Sequence, residues 1–359
     1  MANILDYINW RGDINFDCSY FNEIDSLILS RVSYFPIELI MNYNDTLTIK
    51  EICLKLSSIS NLEDKLLWKD DLKLINMLPN SERFASLKVS NFVNKICMEE
   101  EKQFSAATIF LPNDTMYISF RGTDNTIIGW KEDFNMGFTT HIPAQLSSVK
   151  YLEEISKLYP YKIKLGGHSK GGNLAIYSAI YSSPEIQDRI ISIDNNDGPG
   201  FNDEIIKKEE YINILDKINT FIPQSSVVGM LLNHEEPYTV VKSSAKGIMQ
   251  HDAYSWELLG KEFIKMDEIT NGSKFIDKTL KDWIKHTTPE HRKEFLNILF
   301  DILVSSNIDD VTQFTRNWSK TVIALVKNYQ NIDETDKQFL SQTINSLVTI
   351  AKNNLFEKE

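Results

Sequence analysis

The chain has 359 residues, of which 42% are hydrophobic and 25% charged, a composition typical of a globular protein with a sizeable core. Its formal net charge of −12 repels phosphate backbones and anionic lipid surfaces, so nucleic acid is not expected as a partner. No segment reaches the ~20 uninterrupted apolar residues of a membrane helix, and the first residues do not follow the pattern of a signal peptide. We therefore expect a soluble, cytoplasmic protein with no transmembrane segment.

The cysteines and histidines do not follow the spacing of a metal site or of a disulfide framework. The cysteines lie far apart in sequence at Cys18, Cys53 and Cys97, without a CxxC pair, which is typical of buried thiols in a reducing compartment. The six histidines show no HExxH or similar ligand spacing. We expect no bound metal and no cofactor.

The first hundred residues are predicted to be mainly helical, because apolar side chains recur at helical spacing over residues 24–32. The pattern changes at FSAATIFLPNDTMYISFRGTD. There, two apolar runs at residues 106–111 and 116–120 flank a Pro-Asn-Asp turn signal. This arrangement predicts a β-hairpin that enters a sheet.

Helices and strands alternate after the hairpin. An amphipathic helix is predicted over Pro143–Leu158, where apolar residues recur about every three positions. YKIKLGG is predicted as a strand, KGGNLAIYSAIYSS as a helix, RIISID as a buried strand and KINTFIP as a further strand. A helix between two apolar strands forms a βαβ unit, so we predict an α/β fold with a mostly parallel sheet flanked by helices.

Helical patterns predominate from about residue 260 onward, where glycines almost vanish. The simplest interpretation is a helical C-terminal region, residues 261–359, packed on an α/β domain of residues 1–260 whose first part, residues 1–100, is helical. The alternative is that the C-terminal helices form an independent module that binds a protein partner.

Ser169 lies in the G-x-S-x-G pattern of the segment LGGHSKGGNLAIYSA, between a predicted strand and a predicted helix. In this context a sharp turn holds the serine in a strained conformation above the sheet edge. Glycines at positions 167 and 171 avoid collisions with the neighbouring strand and helix. Ser169 is thus a candidate nucleophile, and the alternative is a small residue in an ordinary loop.

An oxyanion hole is predicted next to Ser169, because the N-terminus of the following helix stabilises negative charge. One donor is usually the N–H of the residue after the nucleophile, here Lys170, and the other comes from a loop after an earlier strand. We assign Thr123, in the segment FRGTD, as the second donor. The nearby side chains of Ile127, Ile128 and Trp130 are candidates for an apolar acyl pocket or a mobile lid, with core packing as the alternative.

The segment YISFRGTDNTIIGWKEDF is similar to one in the class 3 (fungal-type) triacylglycerol lipases, in which an apolar strand ends in Arg-Gly-Thr/Ser and a Trp and an Asp follow three residues apart. Trp130 and Asp133 keep that spacing. With GHSKGGNLA and a later Gly-Pro pair, the match covers about residues 105–255. The chain more closely resembles a bacterial group of lipase-like α/β-hydrolases of unassigned function, through DYIxWRGDxxF and QHDxYSW. The resemblance implies an α/β-hydrolase-like fold and a structural role for Trp130.

The catalytic base is expected after Ser169, since the α/β-hydrolase order is nucleophile, acid, histidine. His251, in MQHDAYSW, follows a predicted strand and matches the family's histidine position. We expect it to take the Ser169 proton, with a surface histidine as the alternative. His286 and His291 lie in the polar helical tail, where a solvated helix face explains them.

The acid is the position at which the chain departs from the lipase pattern, because QSSVVG follows KINTFIP where an Asp is expected. Asp197, which follows the preceding strand at the same sheet edge, is the first candidate. Glu235 or Glu236 is the second, and a triad completed by a serine or water is the third, since the acid mainly fixes the histidine tautomer. Otherwise the Asp197 carboxylate would cap the turn at Gly198.

Together these residues predict a serine hydrolase that cleaves a carboxylic ester, from a small-molecule or lipid substrate, through an acyl-enzyme. A thioesterase or an acyltransferase would use the same residues. The alternative function is that of a catalytically silent hydrolase fold that acts as a binding or scaffolding protein through its C-terminal helices. The missing acid after KINTFIP favours this alternative.

Overall fold

A mixed β-sheet forms the centre of the computed structural model, which describes residues 2–124, 127–136, 139, 141–305 and 328–356. The strands in these residues are β1 (Thr46–Thr48), β2 (Lys88–Cys97), β3 (Lys102–Leu111), β4 (Thr115–Phe120), β5 (Lys162–His168), β6 (Ile190–Asn196), β7 (Ile218–Pro223), β8 (Tyr238–Val241), β9 (Leu258–Leu259), β10 (Glu262–Phe263) and β11 (Lys265–Met266). Nine of these described strands form one sheet in the order β1-β2-β3-β4-β5-β6-β7-β8-β11, and β9 pairs with β10.

Helices precede, cover and follow this sheet. They are α1 (Ile4–Arg11), α2 (Glu23–Val32), α3 (Ile49–Ser57), α4 (Asp71–Met77), α5 (Ile127–Met136), α6 (Pro143–Leu158), α7 (Lys170–Ile180), α8 (Pro184–Arg189), α9 (Asp203–Ile206), α10 (Glu209–Ile212), α11 (Asn271–His286), α12 (Pro289–Ser305) and α13 (Glu334–Phe356). Reciprocal capping boxes begin α1, α2 and α3, where an Asn or Thr and an acidic residue three positions later satisfy free backbone N–H groups.

The centre of the sheet is parallel and its two sides are antiparallel. β3 and β4 form the predicted hairpin, joined by a turn in which Asn113 and Asp114 have positive φ. From β4 to β8 every pairing is parallel, with α6 and α7 as crossover helices, whereas β11 pairs antiparallel with β8. The α/β prediction is therefore confirmed in its coarse form, as a mixed sheet in which half of the pairings are parallel.

Both faces of the sheet are covered by apolar layers. Successive residues of β4 point to opposite faces: Tyr117 belongs to the layer formed with α1–α4, and Ile118 belongs to the layer formed with α6 and α7. Burial on both faces is typical of the parallel part of an α/β sheet. No described helix has the length and apolar character that crossing a bilayer requires.

Buried polar contacts connect the N-terminal helices to each other and to the segment that contains His251. Arg31 Nη2 lies 2.7 Å from Asp71 Oδ2, and both side chains are almost completely buried. Tyr254 donates its hydroxyl to Asp71 Oδ1 at 2.6 Å. Since Tyr254 lies three positions after His251, this contact fixes the histidine loop against α4.

Candidate active site

Ser169 forms the turn between the last residue of β5 and the first residue of α7. Its φ of 60° and ψ of −136° lie in a region that residues with a side chain rarely adopt. A Cβ on Gly167 would lie 2.3 Å from the Gly171 carbonyl carbon, and a Cβ on Gly171 would lie 2.1 Å from the Phe120 oxygen. The two glycines therefore allow the strand, the turn and the helix to pack at close range, as the G-x-S-x-G pattern predicts.

His251 and Asp197 lie against each other at the carboxyl ends of the strands. His251 Nδ1 is 2.6 Å from Asp197 Oδ2, and the carboxylate is completely buried. The other oxygen of Asp197 accepts hydrogen bonds from Ser226 Oγ at 2.5 Å and from the backbone N–H of Gly229 at 3.1 Å. With Nδ1–H donating to the carboxylate, Nε2 of the neutral imidazole carries the free lone pair that a base needs.

The structure also shows what the other acidic candidates contact. Glu236 accepts hydrogen bonds from Thr220 Oγ1 at 2.7 Å, from His234 Nδ1 at 2.9 Å and from Tyr211. Burial raises the pKa of Glu236, but these hydrogen bonds outweigh burial and hold its pKa below the ordinary value. Glu235 is exposed. In the described part of the chain, neither glutamate is hydrogen-bonded to His251.

The turn after β6 is capped by a neighbour of Asp197. Asn195 Oδ1 accepts the backbone N–H of Gly198 at 2.9 Å, so the Asp197 carboxylate is free for its contacts with His251 and Ser226. Asp197 itself has a φ of 56°. This is the left-handed region, which Asp and Asn adopt more readily than most other residues with a side chain.

His168 supports the histidine of this pair, a contact that the sequence reasoning missed. The rings of His168 and His251 lie 4.6 Å apart, and His168 Nε2 is 2.8 Å from the His251 carbonyl oxygen. Burial, together with the nearby His251 and Arg31, holds the pKa of His168 well below its ordinary value. His168 is therefore neutral and donates from Nε2 to that carbonyl. Its place directly before Ser169 was the one sequence signal for it.

The side chains of the two residues assigned to the oxyanion hole bind other parts of the protein. Thr123 donates its hydroxyl to Asp133, and the buried Lys170 ammonium lies 2.9 Å from Glu132 Oε2 and 2.8 Å from Gln103 Oε1. The Lys170 side chain thus points away from the serine and fixes the start of α7 to α5 and β3. Its backbone N–H is left at the helix N-terminus, where a free donor is available.

A cavity of about 450 Å³ lies over Ser169, within the range of about 300–1,000 Å³ typical of small-molecule sites. Its lining includes Ser169, His251, Thr123 and Lys170, together with apolar side chains. Ile127, Ile128 and Trp130 are the predicted substrate contacts. Their backbone belongs to α5, but their side chains are not among those that the structure describes. A second cavity of about 550 Å³ between β8, β11 and α11 is not lined by Ser169 or His251, so we place the site in the first.

Comparison with protein families assigns the chain to one of them. A profile of the Mbeg1-like family matches residues 78–301, which is more than half of the chain. The chain belongs to the Mbeg1-like family. The matched residues include Ser169, Asp197 and His251. A search of curated proteins finds no match.

Several of the solved structures that match this chain are lipases. The native Rhizomucor miehei lipase propeptide complex matches at 16% identity and a TM-score of 0.37, over 60% of this chain and 66% of that chain, just under two thirds of its length. M37 lipase matches at 16% identity and a TM-score of 0.39, over 68% of this chain and 85% of that chain. Lip2 lipase from Yarrowia lipolytica matches at 11% identity and a TM-score of 0.29, over 47% of this chain and 68% of that chain. At such scores the superpositions carry no residue roles to this chain.

The described residues bring polar side chains and one helix end to the cavity. The described residues contain no group of three or more His, Cys, Asp or Glu side chains that could hold a metal ion. A strained serine, a histidine paired with a buried carboxylate and a helix N-terminus border one apolar cavity. Such an arrangement can activate a hydroxyl nucleophile and stabilise an oxyanion.

Proposed function

We propose that this chain is a serine hydrolase that cleaves a carboxylic ester through an acyl-enzyme. Ser169 Oγ attacks the carbonyl carbon, His251 Nε2 takes the serine proton and returns it to the leaving alkoxide, and Asp197 orients His251 and stabilises its cation. The observation that carries the proposal is the 2.6 Å contact between His251 and Asp197 at a cavity shared with a strained serine.

The oxyanion of the tetrahedral intermediate is held, in this proposal, by the backbone N–H groups of Lys170 and Thr123. Removing one donor of an oxyanion hole typically costs about 10²–10³ in kcat. The Thr123 hydroxyl is bonded to Asp133, which fixes the loop that presents its N–H. A water activated by the same histidine then hydrolyses the acyl-enzyme, which restores Ser169.

The proposal further includes an α/β-hydrolase fold formed by residues 1–260, with residues 261–359 as a helical region, in a cytoplasmic protein. Mechanistically, it requires a Ser169–His251 hydrogen bond when an ester is bound. In the described residues these two side chains form no direct hydrogen bond, although both line the same cavity. In unliganded hydrolases this bond is often long and tightens in the complex.

A catalytically silent binding protein is the second candidate. Two observations favour it. The segment directly after β7 has no acidic residue where the lipase pattern places one, and Ser169 is not hydrogen-bonded to His251 in the described structure. In that case the cavity would hold a ligand without cleaving it.

Labelling with a fluorophosphonate discriminates between the two candidates, because the probe reacts only with an activated serine. We expect covalent labelling of the full chain within the range from about pH 6 to pH 9, because an ordinary histidine, with a pKa of about 6.5, loses its proton and becomes a base in this range. Ser169→Ala abolishes labelling, whereas the exposed Ser244→Ala retains it. Absence of labelling of the folded wild-type chain over this whole range would overturn the hydrolase proposal and support the binding protein.

A further inference from the structure

One wall of the Ser169 cavity is formed by α11, from the C-terminal part of the chain. Asp277, Leu280 and Ile284 line it at spacings of three and four residues, which places them on one face of the helix. Lys281 and Trp283 complete this wall, and Lys281 Nζ pairs with Asp277 at 3.0 Å. The site is therefore closed by a helix that carries none of the proposed triad.

The N-terminal end of α11 is tied to the loop that holds the acid. The backbone N–H of Thr270 donates to the Gln224 carbonyl at 2.7 Å, and the Ser273 hydroxyl donates to the Ser226 carbonyl. The Ser226 side chain in turn donates to Asp197. The position of α11 is thus set by the same loop that positions the proposed acid.

Two other C-terminal helices, α12 and α13, also contact α11. The ring of Trp283 packs edge-on against Phe295 of α12, with the ring centres 6.0 Å apart. Asn354 of α13 donates its side-chain N–H to Asp282 Oδ2 at 3.0 Å. Contacts at its N-terminal end and near its C-terminal end make α11 a supported wall rather than a flap hinged at one end.

Apolar residues from other parts of the chain also line the cavity. Trp68, Leu231 and Leu232 line it, and Ile248 and Met249, which are 61% and 62% exposed as whole residues, lie beside them next to His251. Large apolar side chains exposed next to a cleft favour an apolar ligand over a polar one. An acyl chain that begins at Ser169 and runs between α11 and these residues fits this chemistry.

We infer that α11 is the element that selects the acyl chain, and that it restricts the substrate to esters whose acyl chain is of medium length. The inference rests on the proposed function. The cavity has a volume of about 450 Å³ and α11 forms one of its walls, so it has room for a limited number of methylenes beyond the ester.

The test is the chain-length profile of kcat/KM for nitrophenyl esters of about two to sixteen carbons, measured on the full chain. Each buried methylene is expected to raise kcat/KM about threefold to fourfold up to a maximum at a medium chain length, after which kcat/KM falls. Leu280→Trp fills the cavity and moves the maximum to shorter chains. Lys285→Trp, on the exposed face of α11 opposite Leu280, is the matched control and leaves the maximum in place.

Fluorophosphonate labelling of Ser169 in each variant separates the two proposals. If L280W is labelled like the wild type and its profile is unchanged, the role of α11 is overturned while the hydrolase proposal stands. If the wild type is not labelled, the hydrolase proposal itself fails. Should L280W not fold, Leu280→Ala enlarges the cavity and moves the maximum to longer chains, and an unchanged profile in L280A would overturn the inference equally.

Discussion

Asp197 and His251 are 54 positions apart in the chain, yet their side chains meet at 2.6 Å. Asp197 follows β6, one strand earlier than the lipase pattern places its acid. The loop after β7 contributes Ser226 instead, whose hydroxyl donates to the second oxygen of Asp197. The two loops are neighbours because β6 and β7 pair in parallel, so a carboxylate on either strand end can approach the same histidine.

Asp197→Asn is expected to lower kcat about 10⁴-fold without unfolding the protein, because an amide that donates to Nδ1 stabilises the wrong histidine tautomer. The measurement is steady-state hydrolysis of a nitrophenyl ester, with a thermal melt to confirm folding. Glu235→Gln is the control, since Glu235 is exposed, and it should retain full activity. Less than a tenfold loss in D197N, or a comparable loss in E235Q, would exclude Asp197 as the acid.

The elements around the serine could be predicted because their signals are local. The β3–β4 hairpin follows from two apolar runs around a turn, and the β5–α7–β6 unit follows from a change of hydrophobic period around Gly-x-Ser-x-Gly. The acid could only be narrowed to candidates, since residues of similar local character precede and follow β7. Tertiary packing determines which carboxylate lies next to His251. Asp197 is held in this position by hydrogen bonds from Ser226 and Gly229.

Other parts of the site carry no local signal at all. Tyr254 and Asp71 are 183 positions apart in sequence and form a hydrogen bond, yet neither sequence segment has a pattern that predicts this contact. The face of α11 that lines the cavity has the same amphipathic pattern as a helix packed on any apolar surface. Sequence patterns specify which face is apolar, whereas the partner of that face depends on the whole chain.

Gly171→Ala should destabilise the protein, because its Cβ would lie 2.1 Å from the backbone oxygen of Phe120 in β4. Either α7 or β4 must shift, at a cost of about 3 kcal/mol. Gly272→Ala is the matched control, since its Cβ would meet no atom nearer than Thr270 Oγ1 at 4.0 Å, and it should stabilise α11 by about 0.5 kcal/mol. Urea unfolding measures both values. Equal effects of the two substitutions would contradict the close packing inferred at the elbow.

Asp71→Asn is expected to cost about 3–5 kcal/mol of unfolding free energy, because it leaves the buried Arg31 guanidinium without a carboxylate. Tyr254→Phe removes one hydrogen bond to that carboxylate and should cost about 1.5–3 kcal/mol. Chemical denaturation of the two variants gives the comparison. A larger loss in Y254F than in D71N would show that the ion pair contributes less than the contact with the histidine loop.

Asp133 should make stability depend on pH in a defined direction. Burial raises its pKa from 3.8 to about 6, against the opposing effects of Lys170 and the Thr123 hydroxyl. The folded protein therefore binds this proton more tightly than the unfolded chain does. The contribution of protonated Asp133 to the free energy of unfolding is fully present below about pH 4 and is lost as the pH rises through about 6.

Asp133→Asn removes this titration and keeps an oxygen that can accept the Thr123 hydroxyl. The unfolding free energy of the variant minus that of the wild type should thus increase between about pH 4 and pH 7, by at most about 3 kcal/mol for a shift of about two pKa units. Urea unfolding at several pH values provides the difference curve. A curve that is flat, or that falls with pH, would mean that Lys170 neutralises Asp133 fully and that burial does not govern its protonation.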